Sequence, residues 1–376
     1  MNSYLQIRDC RKKETKKEKL TCKRDSLRKT KYHWLKLLSY GPNKTQIELV
    51  NIWLSIFAIN ARSFLNPHWV IDQIQSIEKT QLSNYENLLY SQLTNPGLLA
   101  YLNAFRNKKN NPNENLAREL LELYTVGEGN FSEEDVKNTS LALTGITLDK
   151  NEKIKFPEKF HFQGYTSILG KTDKFNLKNL TKWLAKQPST AENIAKRFIN
   201  YLLGEEVKSH EIANIIKEFK KSSLDLRTLY RSISKSEKYL ACQKYGTRLL
   251  DPYSLISRTV ALIGSPHENN YKISAKFLKQ MGQSLLEPPN PKGWPFGERW
   301  ITSSRILNRK KGLINLLADE EIWDTRNTPN ILRNDLVSFE PFNIDLPTES
   351  SRENIGRLIT DPSWNFSGPI DLNLYL

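Results

Sequence analysis

From residue 33 onward the apolar positions of this chain recur at helical spacing, three and four residues apart. The stretch 45–61 is apolar on nearly every face: Ile47, Leu49, Val50, Ile52, Trp53, Leu54, Ile56, Phe57 and Ile59. A helix apolar all round is a buried helix. Helices are also predicted over 84–93, ended before Pro96, over 97–105, and over 113–124, ended by Gly127 and Gly129. Ser132-Glu133-Glu134-Asp135 reads as a capping box, in which the cap side chain and an acidic third residue satisfy each other's free N–H groups. It opens a helix that stops at Gly145. Ser189-Thr190-Ala191-Glu192 reads as a second box, opening a helix that Gly204 ends. Further helical stretches lie at 177–186, 210–221, 226–240, 252–263, 274–286 and 303–323.

Between these, residues 146–176 have no helical period and include Pro157 and Gly164. They read as a long loop with a short hairpin, and a loop of that length inside a compact domain is often functional. Residues 287–300 form a loop of proline, glycine and tryptophan. The expected class is therefore all-α: a single helical body over 33–323, a basic and disordered arm over 1–32, and an extended tail over 324–376 packing on the body. No solenoid repeat is present.

Charge sharpens one part of this picture. The net charge of the 376 residues is +15, and residues 1–32, with twelve Lys/Arg against four Asp/Glu, hold +8 of it. Like-charge blocks are usually solvated tails, although such arms also touch nucleic acid or anionic surfaces. Nucleic-acid binding through the arm would show steep salt dependence, but no recognised nucleic-acid fold accompanies it. The three cysteines, Cys10, Cys22 and Cys242, are odd in number and contain no C-x-x-C pair, so no disulfide framework or zinc pattern is expected. Residues 1–32 contain no apolar core of an export signal. The longest apolar stretch, 52–59, is far short of the ~20 residues a membrane span needs. The chain alone points to the cytoplasm.

Two clusters could carry chemistry. Asn113-Glu114-Asn115-Leu116-Ala117-Arg118-Glu119-Leu120-Leu121-Glu122-Leu123 places Glu114, Arg118 and Glu122 on one helix stripe. The plainer expectation is a surface ion-pair ladder; the sharper one is a carboxylate site. The second cluster, Pro288-Pro289-Asn290-Pro291-Lys292-Gly293-Trp294-Pro295, is stiffened by four prolines and presents Lys292 and Trp294. It could hold a sugar or phosphate, or Trp294 could plug the core. The five histidines have no metal-pair spacing; His161, in the long loop, is the most notable of them. No Walker loop, G-x-S-x-G or G-x-G-x-x-G is present.

These clusters carry a resemblance. Residues 112–125, followed by Gly127, Gly129, Asp135-Val136 and Ala142-Leu143-Thr144-Gly145, resemble one hallmark of the large bacterial family catalogued as domain of unknown function 1800. Met281-Gly282-Gln283, Pro288-Pro289-Asn290, Lys292-Gly293-Trp294-Pro295 and Trp300-Ile301 resemble its C-terminal hallmark. His161, Gly164 and Leu169-Gly170 resemble a third, weaker motif. The resemblance spans roughly 34–312, and the chain looks shortened before Trp34. It implies a helical fold but no reaction. It also implies an exported relative set, which makes the periplasm the alternative compartment. Where the family has a W-H-x-H-F-like motif, this chain reads Trp53-Leu54-Ser55-Ile56-Phe57, so both histidines are replaced. Asn103 and Phe162 stand where the family usually has Asp.

The expectation is a non-catalytic scaffold or binding protein, with no cofactor and no metal, whose partner is an anionic polymer or a protein. The alternative is a hydrolase acting on an envelope or polymer substrate. The candidate site residues are Asn113, Glu114, Arg118, Glu122, His161, Gln283, Lys292 and Trp294.

Overall fold

The computed structural model describes residues 10, 13–327 and 345–372. Among them the chain is predominantly helical. The helices are α1 (Lys16–Tyr40), α2 (Lys44–Ile56), α3 (Ala61–Phe64), α4 (Pro67–Thr80), α5 (Tyr85–Leu93), α6 (Pro96–Tyr101), α7 (Asn115–Glu122), α8 (Glu133–Ala142) and α9 (Leu177–Ala185). They continue with α10 (Pro188–Leu203), α11 (Ala213–Lys221), α12 (Leu226–Ser234), α13 (Glu237–Tyr245), α14 (Pro252–Ile263), α15 (Glu268–Gln280), α16 (Ser303–Ala318), α17 (Glu320–Asp324) and α18 (Arg352–Thr360). The strands form three two-stranded antiparallel ribbons: β1 (Thr147–Leu148) with β2 (Ile154–Lys155), β3 (Thr166–Ile168) with β4 (Lys171–Asp173), and β5 (Arg248–Leu249) with β6 (Phe366–Ser367). The all-α class read from the periodicity holds.

The apolar residues gather in two cores. The larger one draws on α2, α4 to α7 and α9 to α12; at its centre Trp53, Phe57, Tyr85, Tyr124 and Phe198 pack ring against ring. The smaller one draws on α14 to α18 and Trp364. Helix α1 bridges them: Leu27, Trp34, Leu37 and Leu38 enter the first core, and Leu35 enters the second.

Of the arm expected over 1–32, residues 1–9, 11 and 12 lie outside the described residues, and residues 16–32 belong to α1 rather than to a loose segment. Residues 16–32 form the first part of a 25-residue helix, opened by a Thr15–Glu18 capping box. From residue 27 the stripe Leu27, Thr30, Trp34 and Leu38 recurs at helical spacing across residue 32 and is buried. Leu27, inside the supposed arm, is 3% exposed. The missing disulfide is a second correction. Cys10 and Cys22 are bonded, with Cα atoms 5.7 Å apart, whereas Cys242 is free and buried. Nothing in a spacing of 12 signals this pair; it forms because Cys22 lies on the second turn of α1, beside the residue that precedes the helix.

Smaller differences have local causes. The 303–323 stretch is broken because Asp319 turns its side chain to cap Ile322 and starts α17. The 226–240 stretch is broken in the same way by Ser236, which caps α13. The box at 189–192 does not form: α10 starts a residue earlier, at Pro188, whose fixed φ suits a first helical position, and Glu192 bonds Ser209 instead. Of the tail, 328–344 and 373–376 lie outside the described residues. The rest is not merely extended, since α18 buries Ile355, Leu358 and Ile359. The loop 146–176 holds two hairpins rather than one. The second turns on Leu169 and Gly170, both at positive φ, as a two-residue hairpin turn demands.

Candidate functional site

The two long motifs meet. Helix α7 buries Leu116, Ala117, Leu120 and Leu121, which leaves Glu119 and Glu122, three residues apart, on one side facing α10 and the 288–295 loop. The Lys292 ammonium lies 2.9 Å from Glu122 Oε1. That hydrogen bond, and then the Glu122 charge, holds the Lys292 pKa above its ordinary value. Tyr201, on α10, donates its hydroxyl to the carbonyls of Lys292 and Trp294, at 3.1 and 2.9 Å.

The segment Trp53-Leu54-Ser55-Ile56-Phe57 reaches the same place. Gly293 adopts φ +88°, and a β-carbon there would sit 2.0 Å from the Ser55 carbonyl oxygen and 2.8 Å from the Tyr201 hydroxyl. Asn60 donates to the Pro288 carbonyl, and the Ala61 N–H to that of Leu286. Phe57 packs 5.0 Å from Tyr124 at the end of the first motif. Leu54 is half-buried and Ile56 fully buried, so both are apolar packing positions.

At this junction several buried polar atoms have no hydrogen-bond partner among the described residues: Glu119 Oε2, Tyr124 Oη, and Arg197 Nε and Nη2. They are close enough to feel one another's charge. Burial pushes the Glu119 carboxyl above the usual carboxylate range, and the Glu122 charge adds to it, against Lys292, Arg197 and Arg118. Burial also pushes the Tyr124 phenol upward, helped by Glu119. Sequence reasoning overlooked Glu119 and Arg197. Glu119 was legible as the other carboxylate on the Glu122 face of α7, but Arg197 is distant in the chain and only tertiary packing brings it in.

The remaining candidates go elsewhere. The expected ladder splits: Arg118 turns away from Glu122, forms paired hydrogen bonds of 2.8 and 2.7 Å to Glu133, and lies 3.5 Å from Glu114. These bonds raise the Arg118 pKa and lower that of Glu133. Asn113 shapes the start of α7, its side-chain Oδ1 accepting the Asn115 N–H while its own backbone N–H donates to Asn107 Oδ1. Gln283 is buried and accepts the Tyr253 N–H at the start of α14. Trp294, 8% exposed, is a core plug against Tyr253 and Trp300. His161 fastens the long loop: its Nδ1 lies 3.0 Å from the Thr144 carbonyl and its Nε2 3.2 Å from that of Phe175. Gly145 beside it has no room for a side chain, since a β-carbon would lie 2.7 Å from the Phe160 carbonyl carbon. No group of three His, Cys, Asp or Glu side chains among the described residues could hold a metal ion. No described helix is long and apolar enough to cross a membrane.

The family model described as protein of unknown function (DUF1800) matches residues 2–360. The chain belongs to this family. The match reaches well beyond the 34–312 span carried by the motifs, so the family domain includes α1 and α18. No curated protein matches the chain, and no solved structure does.

Proposed function

We propose that this chain is a non-catalytic member of its family, a scaffold or binding protein whose motif segments hold one another in place. One observation carries the reading: the polar groups expected to be reactive are already engaged within the protein. Lys292 is paired with Glu122, Arg118 with Glu133, and both ring nitrogens of His161 face carbonyls. With a backbone carbonyl within hydrogen-bond distance of each ring nitrogen, His161 is held inside the loop rather than presented to a substrate. Leu54 and Ile56 supply no ligand or base at the altered motif. An anionic polymer or a protein remains the partner class. The Cys10–Cys22 bond supports the periplasmic alternative over the cytoplasmic one, because cytosolic thiols are kept reduced.

A second reading, a hydrolase acting on an envelope or polymer substrate, is favoured by Glu119. Two carboxylates on one helix face, one raised by burial and one ion-paired, form the unequal pair that acid–base hydrolysis uses. One experiment separates the two readings. Purified protein is incubated with cell-wall peptidoglycan, an acidic polysaccharide and nitrophenyl esters, and soluble products are measured beside heat-denatured protein. The expected result is product at the denatured level. Turnover that Glu119→Gln abolishes without lowering the melting temperature would establish the enzyme instead.

A further inference from the structure

A cavity of about 430 Å³ opens between the 146–176 loop, the end of α8 and the start of α9, and it shares no residue with the motif junction. Its volume lies within the range of small-molecule sites. The floor is apolar and fully buried, formed by Leu143, Ile146 and Leu177. Phe175 is buried in the same wall, whereas Phe156 lines the cavity with 46% of its surface exposed. An aromatic ring left exposed at the lip of a greasy cavity is surface that a bound apolar body would cover.

The charge around the cavity has one dominant sign. Lys174 and Lys178 line it, and Glu158 is the one acid that does. Lys178 occupies the first turn of α9, where an acid is the favoured residue, although the Asn176 side chain accepts the N–H groups of Lys178 and Asn179 there. That first turn contains no acid, and both lysines are exposed. The Lys174 ammonium lies 5.2 Å from the centroid of the Tyr165 ring, and neither lysine forms an ion pair among the described residues.

We propose that this cavity binds a small amphiphilic anion: an aromatic or acyl body seated on Leu143, Ile146 and Leu177 beside Phe156, with a carboxylate or sulfonate held by Lys174 and Lys178. His161 acts as a positioning residue, tying the loop that carries Phe156 to Thr144 and Phe175. The site lies apart from Glu119, so its occupancy is independent of whether the motif junction is catalytic.

The test uses the full chain with anilinonaphthalene sulfonate as a fluorescent probe, and 2-naphthoate and neutral 2-naphthylmethanol as calorimetric ligands. Melting temperatures of all variants are measured alongside. One saturable site is expected for each anion, at least tenfold weaker in the Lys174→Ala/Lys178→Ala double variant and at least fivefold weaker in Phe156→Ala. Lys150→Ala/Lys153→Ala, which removes two lysines outside the cavity, should bind as the parent does. The alcohol should bind at least tenfold more weakly than 2-naphthoate. Absence of saturable binding, or equal affinity in all variants, overturns the proposal. Tight binding of alcohol and naphthoate alike overturns the anionic part and leaves an apolar cavity.

Discussion

Gly293 sits so close to Ser55 that a β-carbon at residue 293 would fall 2.0 Å from the Ser55 carbonyl oxygen. This contact locks the C-terminal motif onto the end of α2, and the obstacle is backbone, which cannot swing aside. Gly293→Ala is therefore expected to lower stability by more than about 2 kcal/mol, combining the strain of positive φ with a collision in a packed region. Gly170 provides the comparison. It also has positive φ, +76°, but nothing lies within 4 Å of its would-be β-carbon. Gly170→Ala should cost only about 1 kcal/mol, the conformational part alone. Chemical denaturation of both variants measures the difference; equal effects would show that the Ser55 contact is not tight.

Glu119 makes stability depend on pH in a definite direction. Its carboxyl is held above the unfolded value, first by burial and then by Glu122, so the folded state binds its proton more tightly than the unfolded state does. The stabilisation that this proton provides is fully present below the ordinary carboxylate value of 4.5 and is lost as pH rises through the raised folded value. Glu119→Gln, which mimics the protonated form, should therefore gain stability relative to the parent at pH 7 and lose that advantage near pH 4. Urea midpoints at the two pH values test the sign. An advantage that is the same at both would place the Glu119 carboxyl in water.

Deleting residues 1–32 should destabilise the protein rather than leave it unchanged. The deletion removes buried Leu27 and the Cys10–Cys22 bond. A disulfide closing so short a loop contributes about 3 kcal/mol. A fall in melting temperature of ~5 °C or more is expected, and a reductant should reproduce part of it in the full-length chain. An unchanged transition would return these residues to the status of a loose arm.

The sequence by itself determined the class of the fold, most of its helices and the family. Those features are written in local order: apolar periodicity, caps such as Ser132 and Asp251, and motif residues contiguous in the chain. Helix α4 is equally legible in the sequence, from Asn66-Pro67 and its apolar stripe. What only the tertiary structure decided is how the side chains are engaged. Arg118 had Glu114 and Glu122 within helical reach, yet it turns to Glu133, which leaves Glu122 for Lys292, 170 residues further on. The sequence marks His161 as the histidine of the long loop, but only the fold shows that the Thr144 and Phe175 carbonyls lie on either side of it. Charge density marked residues 1–32 as solvated, but a charge count does not register the stripe from Leu27 to Leu38, whose burial depends on a core assembled from distant helices. Local periodicity encodes which element forms. Pairing between distant side chains depends on three-dimensional proximity, which no single stretch of sequence contains.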